Sequence, residues 1–527
     1  MLTPGIAVGR RLVPVLATLW AACIGIPKLT GAGVTLITHG FNGNVQGWVS
    51  GMANRIPAHP RFPGTNIVCY EVTVADNSGF VVTTRKVAGG NPTNDPNAEI
   101  VIKLDWGDLA GFFAQYDTYE VAAAVVPKLF QTNFIAELGG HALAELPLHL
   151  IGHSRGGSLV CQMSRLLGTN GVWVDHVTTL DPHPVNEDGN TDPLLVSDAP
   201  LRIYENVLFA DNYYQEFGGY PHGQIILSSY NRRFAALPGG YSSAHSDTHL
   251  WYHGTIDLRE PASDSEAQLS AGDRTAWFTS YETRGLRGGF HYSLLNGGDR
   301  LSLDQPAGSG ADRPADGYNQ RWNLGAGTSA NRTALPVNSG SWPNLIKLNL
   351  PGTNLIAHGS SNIVDICYQW ARPVAANATV SIYLDDDFNP WNGNGRLVGL
   401  TTVASTTPTN VGIAAVNIHV STTNSPPGTH SLYARISGDG LTRYTYSPEL
   451  VTIVSSFEPP VLAIVREAST RVRLNVTGLA GQRIVLQSTS DFQTWQPLAT
   501  NWLTTNEWSY LDPAPAAIQR FFRATLR

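Results

Sequence analysis

A chain of 527 residues is too long for a single hydrophobic core and predicts roughly three or four units. With 42 % hydrophobic and 14 % charged residues it is globular and not disordered, and its 52 glycines and 33 prolines call for many turns and a large β component. A formal net charge of -7 with no lysine or arginine run gives a nucleic-acid partner no electrostatic support, which excludes that class.

At the amino terminus, two arginines precede an apolar run from Leu12 to about Ile26, and the small residues Thr30, Gly31 and Ala32 follow. These are the three zones of a secretory signal over residues 1–32, and they predict a secreted or cell-surface protein. The run is short for a bilayer span. Cys23, Cys69, Cys161 and Cys367 are widely separated, without zinc-site spacing or a disulfide framework, and are expected to be buried thiols.

From Val34 to about Ile256, strand-like runs ("VTLITHG", "NIVCYEV", "EIVIKLDW", "LHLIGHS", "HVTTLDP", "LRIYENVLFAD") alternate with helical stretches such as "YEVAAAVVPKLFQ" and "GSLVCQMSRLLG". In the second of these, Leu159, Val160, Met163, Leu166 and Leu167 make one apolar stripe. The alternation predicts an α/β domain over 33–340 with a mostly parallel sheet covered on both faces. After about residue 340, short β-branched runs separated by Asn, Gly and Pro clusters predict two all-β, sandwich-like modules. The first is an immunoglobulin-like sandwich over 341–455, and the second is a small module over 460–527.

The chemistry concentrates in "PLHLIGHSRGGSLV", where a Gly-x-Ser-x-Gly stands between a strand and a helix. That context suits a nucleophile elbow: a sharp turn holds the Ser154 hydroxyl above the sheet edge, and Gly152 and Gly156 let strand and helix approach without a Cβ clash. A serine hydroxyl needs a base, and the base needs an orienting acid. Two strand-end carboxylates compete for the acid, Asp181 in "TTLDPHP" and Asp211 in "LFADNYY". For the base, "AHSDTHLWYHGTI" offers His245, His249 and His253; His245 precedes the predicted helix and can reach over the sheet edge, and His249 is its alternative. The turn "THGF", with His39, Gly40 and Phe41, ends the first strand and is expected to supply one oxyanion donor from the Phe41 N–H, with the Arg155 N–H as the second.

Taken together, "THGF", "LDWGDLAGFFAQYDTYEVAAAVVPKL", "LHLIGHSRGG", "TLDP" and "HSDTHLWYHGTI" resemble, in order, the α/β-hydrolase superfamily and within it the pancreatic-type lipases and their bacterial relatives. The resemblance covers most of residues 34–256. It implies an α/β-hydrolase fold with Ser154 as nucleophile, Asp181 as acid and His245 as base. It favours His245 over His249 because Trp251-Tyr252 and Thr255-Ile256 follow at the matching distances. Two features depart from it: no cysteine between Asp181 and His245 can bound a lid, and the implied calcium loop, "VNEDGNTDPLLVSDAPLR", keeps Asp198 but has Leu195 at another ligand position.

The resulting expectation is a secreted serine ester hydrolase, a lipase or carboxylesterase working on an ester or lipid through an acyl-enzyme, with no required cofactor. An acyltransferase or peptidase on the same triad, or a non-catalytic surface-binding protein, are the alternatives. In the first β module, "IYLDDDFNPWNGNGRLVG" sets Asp385, Asp387, Asn389, Asn392 and Asn394 close together. This is either a weak structural calcium site at Asp385, Asp387 and Asn389 or a long hairpin whose Asx side chains bond their own backbone. Trp391 and Trp495 are candidates for surface or polysaccharide contact through the β modules.

Overall fold

The computed structural model describes residues 33–526 apart from 57–66, 97–98, 112–115, 187–194, 216–218, 227–228, 235–236, 257–262, 265, 279–288, 296–331, 337–341, 352–353, 408–410, 448, 455–458, 469–470, 479–481 and 514–518. The expected secretory signal over residues 1–32, with Cys23, lies outside the described residues.

The first sheet is built from β1 (Val34–Thr38), β2 (Val68–Asp76), β3 (Phe80–Ala88), β4 (Ile100–Asp105), β5 (Leu148–His153), β6 (Val174–Leu180), β7 (Val207–Gln215) and β8 (Tyr230–Phe234), in the order β3-β2-β4-β1-β5-β6-β7-β8. β1 and β5 are buried at every position and carry apolar residues toward both faces, as expected for strands covered on two sides. β1 pairs in parallel with β4 and β5, and β5 with β6. The edge strand β3 runs antiparallel to β2 after a tight turn at Asn77, Ser78 and Gly79. Its side chains alternate between half-buried and exposed, so one face meets solvent.

Helices α1 (Trp48–Arg55), α2 (Gly107–Ala110), α3 (Thr118–Leu129), α4 (Arg155–Thr169), α5 (Ala244–Gly254) and α6 (Ala271–Phe278) accompany this sheet. The start of α3 is fixed by a capping box: the Asp117 carboxylate accepts from the Glu120 N–H while the Glu120 side chain accepts from the Asp117 N–H. In α4 the predicted stripe is the buried face, with Leu159, Val160, Met163 and Leu167 in the same core as Val121, Val125 and Leu129 of α3.

Nine strands follow: β9 (Asn344–Asn349), β10 (Leu355–Ala357), β11 (Ser361–Gln369), β12 (Asn377–Asp385), β13 (Arg396–Ala404), β14 (Gly412–His419), β15 (Gly428–Gly438), β16 (Leu441–Tyr446) and β17 (Val451–Val454). They join in one hydrogen-bonded set around a core that includes Val364, Ile366, Trp370, Val380, Ile382, Val416 and Ile436. The last six, β18 (Val461–Ala468), β19 (Arg471–Thr477), β20 (Arg483–Thr489), β21 (Gln496–Trp502), β22 (Glu507–Leu511) and β23 (Phe521–Leu526), form two three-stranded sheets around Leu474, Val476, Ile484 and Leu486.

The nine-stranded region is docked on the first. Arg443 of β16 reaches out of its own strand to donate to the Trp173 carbonyl at 2.9 Å and the Leu146 carbonyl at 3.3 Å, and burial lowers its pKa to about 10. Trp342, Phe388, Tyr433, Tyr444 and Tyr446 share one apolar cluster with Leu143 and Leu146.

The expected α/β-hydrolase fold, a mostly parallel sheet in an α/β domain, is corrected here. The chain is mostly β: only 17 % is helical, with six α-helices against twenty-three strands among the described residues, and the first sheet is mixed because β3 folds back on β2. The helical stretches read in the sequence do form α3, α4 and α5; strand pairing is what local patterning cannot show, so the antiparallel return of β3 escapes it. Two all-β regions follow, as ranges 344–454 and 461–526.

Among the described residues no helix is long and apolar enough to cross a membrane. Cys69, Cys161 and Cys367 are buried thiols that form no disulfide among the described residues. Burial raises the pKa of the Cys69 and Cys367 thiols to about 11 each, which leaves both protonated and unreactive.

Candidate active site

Strands β1, β5 and β6 are parallel neighbours, so their carboxyl ends meet at one edge of the sheet. His39 and Gly40 follow β1, Ser154 follows β5 and Asp181 follows β6. The topology therefore collects three of the sequence-flagged stretches before any side chain is considered.

Ser154 sits in the turn between β5 and α4 with φ 57 and ψ -125, a conformation that costs a non-glycine residue about 1–3 kcal/mol. The surroundings impose it. The Ser154 N–H donates to the Leu180 carbonyl at 3.0 Å, and its own carbonyl accepts from the N–H groups of Gly157 at 2.9 Å and His183 at 3.1 Å. Gly152 and Gly156 are required by close approach: a Cβ on Gly152 would lie 2.0 Å from the Gly156 carbonyl oxygen, and one on Gly156 would lie 2.5 Å from that of His39. Although Ser154 occupies the N-cap position of α4, its side chain makes no capping hydrogen bond. The hydroxyl is thus not committed to the backbone, and it stands at the positive end of a 15-residue helix.

The turn after β1 lies directly against that hydroxyl. A Cβ on Gly40 would fall 2.5 Å from the Ser154 Cβ and 3.0 Å from its Oγ. His39 holds the turn: its Nδ1 donates to the Gly40 carbonyl at 2.9 Å, its Nε2 accepts the Trp106 N–H at 3.3 Å, and its carbonyl accepts the Trp106 indole N–H at 3.2 Å. The turn and the first residues of α4, which carry the Phe41 and Arg155 N–H groups, flank the serine on this side.

Asp181, with φ 43, is fully buried. Its N–H donates to the Tyr213 carbonyl at 2.7 Å, which anchors it to β7. Gln215, the last residue of β7, donates its backbone N–H to Oδ1 at 2.8 Å and its side-chain amide to Oδ2 at 3.0 Å. The same Oδ2 accepts from Nδ1 of His245 at 2.6 Å. A carboxylate oxygen only accepts, so Nδ1 carries the ring proton and Nε2 is the basic nitrogen. Gly223 closes this end, since a Cβ there would lie 2.4 Å from Asp181 Oδ1.

The competing residues face elsewhere. Asp211 is buried in the middle of the sheet, where it accepts from His176 Nε2 at 2.8 Å, Thr178 Oγ1 at 2.6 Å and the Tyr213 hydroxyl at 2.8 Å. His249 stacks on Trp48 with ring centres 4.3 Å apart, and its Nδ1 stands 3.9 Å from Asp264. Burial, and then the neighbouring histidines, hold the His249 pKa well below the ordinary histidine value. His253, one turn further along α5, has no hydrogen-bond partner at either ring nitrogen among the described residues, and burial followed by Arg55 and Arg274 lowers its pKa to about 4.

Among the described residues neither metal suggestion gains a ligand set. Both Asp198 oxygens are taken by Arg155, through Nε to Oδ2 and Nη2 to Oδ1 at 2.7 Å each, and they also accept from the Thr118 and Val185 N–H groups. Arg155 further donates to the carbonyls of Ala110 and Tyr116 and lies over the Trp106 ring, so the residue after the serine is fixed on every side. Leu195 is 96 % exposed, and residues 187–194 of that loop lie outside the described residues.

In the loop after β12, Asp385 Oδ1 accepts from the Asp386 and Asp387 N–H groups, Asp387 from the Asn389 N–H and the Asn392 amide, and Asn392 from the Asn394 N–H. Asn389 donates to the carbonyls of Pro92 and Asp95 in the first region. Among the described residues no group of three or more His, Cys, Asp or Glu side chains is arranged to hold a metal. Trp391 is half-buried against His141, and Trp495 lies under the guanidinium of Arg523.

Sequence reasoning missed Gln215, Gly223 and His153. Nothing in the local pattern marks the first two, which act only through Asp181. His153 was visible as the residue before the nucleophile, but its partner lies 92 positions away.

No family model matches the chain, and no curated protein matches it. Solved structures similar to it include the CARDB domain of the PF1109 protein from Pyrococcus furiosus, crystallised in complex with di-metal ions. That likeness has 10 % identity and TM-score 0.15, and it covers 22 % of this chain and 99 % of that one. Red sea bream transglutaminase is similar at 11 % identity and TM-score 0.17, covering 44 % of this chain and 31 % of that one. The resemblance to pancreatic-type lipases and the wider α/β-hydrolase superfamily is therefore corrected: no family model and no curated protein supports it, and the chain is mostly β with 17 % helix. The matching blocks describe local turns and helices, which unrelated chains also build.

Proposed function

We propose that the chain is a serine hydrolase that cleaves carboxylic esters, with Ser154 as nucleophile, His245 as general base and Asp181 as the orienting acid. The observation that carries this reading is the 2.6 Å hydrogen bond from His245 Nδ1 to an Asp181 carboxylate that Gln215 holds from two directions, at the sheet edge where the strained Ser154 turn leaves a hydroxyl uncommitted.

In this mechanism His245 Nε2 takes the Ser154 proton as the oxygen attacks the ester carbonyl. Asp181 keeps the imidazole in the tautomer with a free Nε2 and stabilises the imidazolium that forms. The N–H groups of Phe41 and Arg155, together with the amino end of α4, receive the charge on the tetrahedral oxygen. His245 then protonates the leaving alcohol, and a water activated by the same base releases the acid from the acyl-enzyme. The packing of Gly40 on the Ser154 side chain supports an oxyanion role for that turn, because it brings the turn against the attacking oxygen: a Cβ on Gly40 would lie 3.0 Å from Ser154 Oγ.

The test is hydrolysis of p-nitrophenyl acetate and butyrate by wild type and Ser154→Ala. The reading predicts a fall in kcat of roughly a thousandfold or more with an unchanged thermal midpoint. Full activity in Ser154→Ala refutes it. Products made in the presence of an added alcohol or a peptide amide separate hydrolysis of esters from acyl transfer and from peptide cleavage.

A further inference from the structure

We infer that His153 is a positioning residue that ties the nucleophile's strand to the main chain of the catalytic base. The inference rests on the reading of Ser154 and His245 given above. His153 is the last residue of β5, adjacent in sequence to Ser154, and only 7 % exposed. Its Nε2 lies 3.0 Å from the carbonyl oxygen of His245. A carbonyl only accepts, so Nε2 donates, and one side chain thereby links the residue before the serine to the backbone of the histidine that must reach it.

The link supplies what Asp181 cannot. The hydrogen bond from Nδ1 to Asp181 fixes one edge of the His245 ring, yet the position of that ring also depends on where the first turn of α5 lies. His153 fixes that turn at the residue itself. Its ring centre is 4.5 Å from that of His245, 4.8 Å from that of His249 and 5.6 Å from that of Trp48. His245 and His249 of α5 and His39 after β1 are the titratable groups that bear on it, and none is acidic. Burial first, and then the nearness of His245, hold its pKa well below the ordinary histidine value. A neutral ring is what the site needs there, because an imidazolium forms on His245 in each half-reaction and a second cation so close would oppose it.

The experiment compares wild type, His153→Phe, His153→Gln and His153→Asn. Phe keeps a flat ring and loses the donor, Gln keeps an N–H of similar reach, and Asn keeps an amide too short to span the gap. A fluorophosphonate probe is first reacted with wild type. Absence of labelling overturns the hydrolase reading and this inference with it.

Given labelling, the inference predicts that His153→Phe lowers kcat on p-nitrophenyl acetate roughly ten- to hundredfold with KM within about twofold, because a base misplaced by a fraction of an ångström loses rate and not ground-state binding. His153→Gln is expected to recover kcat to within about threefold of wild type. Should His153→Phe fail to fold, His153→Asn takes its place in the comparison. Wild-type kcat in the donor-lacking variant, or a His153→Gln variant as slow as His153→Phe while both remain folded, overturns the positioning role and leaves the triad standing.

Discussion

Two polar clusters drew attention in the sequence, the Ser154–Asp181–His245 set and the Asp385–Asn394 loop, and the fold treats them in opposite ways. In the first, each group is held by a different element: Asp181 by β7, His245 by Asp181 and β5, and Ser154 by β6 and the turn after it. In the second, Asp385 Oδ1, Asp387 and Asn392 accept from N–H groups and amides of their own loop, Asp385 Oδ2 is buried with no hydrogen-bond partner among the described residues, and Asn389 serves as a clamp onto the first region. Partners drawn from many elements make a site whose geometry only the whole fold can set. Partners drawn from one loop make a turn.

The contrast also has an electrostatic side. At the Ser154 edge burial holds the pKa of His153 and His249 well below the ordinary histidine value, whereas the loop holds a carboxylate, Asp385, whose pKa is raised to about 7 by burial and by Asp387. Mutations can break this comparison at either end. The largest effect is expected from Asp181→Asn, which keeps the shape and misorients the imidazole: kcat on p-nitrophenyl esters should fall roughly a thousand- to ten-thousandfold with little change in thermal midpoint. An equal or larger catalytic loss in Asp211→Asn, with full folding, would move the acid to the other strand.

Next comes Asp385→Asn. The folded-state pKa lies above the ordinary value of 3.8, so the stability linked to this carboxyl is fully present below that value and is lost as pH rises through about 7. The amide oxygen can still accept from the Asp386 and Asp387 N–H groups, and the variant should therefore be more stable than wild type at pH 8 by a few kcal/mol, with little difference at pH 4. Denaturant titrations at the two pH values measure it. Destabilisation at pH 8 in calcium-containing buffer, absent after chelation, would instead show the ionised carboxyl in the service of a cation.

A smaller effect of opposite sign belongs to His253→Leu. With its pKa lowered to about 4, His253 contributes stability that is present above its ordinary value of 6.5 and is lost as pH falls toward 4. Wild type should lose about 2 kcal/mol between pH 7 and pH 5 from this group, and the leucine variant should not. Thermal midpoints that fall by the same amount in both proteins would remove His253 from the account.

What the sequence made legible follows the same division. The strand–turn–helix around Ser154 and the strand ends at His39 and Asp181 were readable because each is local, whereas His245, expected on a loop before its helix, is the second residue of α5. The choice between Asp181 and Asp211 stayed open until the resemblance weighed on it. Both end or lie on strands, and only the sheet order shows that one reaches the edge while the other is enclosed by His176, Thr178 and Tyr213. The family and fold class were misjudged for the converse reason. Short motif blocks report turns, while the balance of helix and strand and the antiparallel return of β3 depend on pairings no window of residues contains. The supports at Gln215 and Gly223 were invisible because their chemistry is that of ordinary strand and loop residues until Asp181 is brought to them.

The central claim is that one serine of this chain is activated by His245 and Asp181, and active-site labelling tests it most directly. Wild-type protein is treated with a fluorophosphonate and digested, and the adduct is located by mass spectrometry. The account predicts a single phosphonylated residue, Ser154, formed rapidly in wild type and at a rate lower by orders of magnitude in His245→Ala. Wild type left unmodified, or an adduct on another residue with Ser154 untouched, would contradict it.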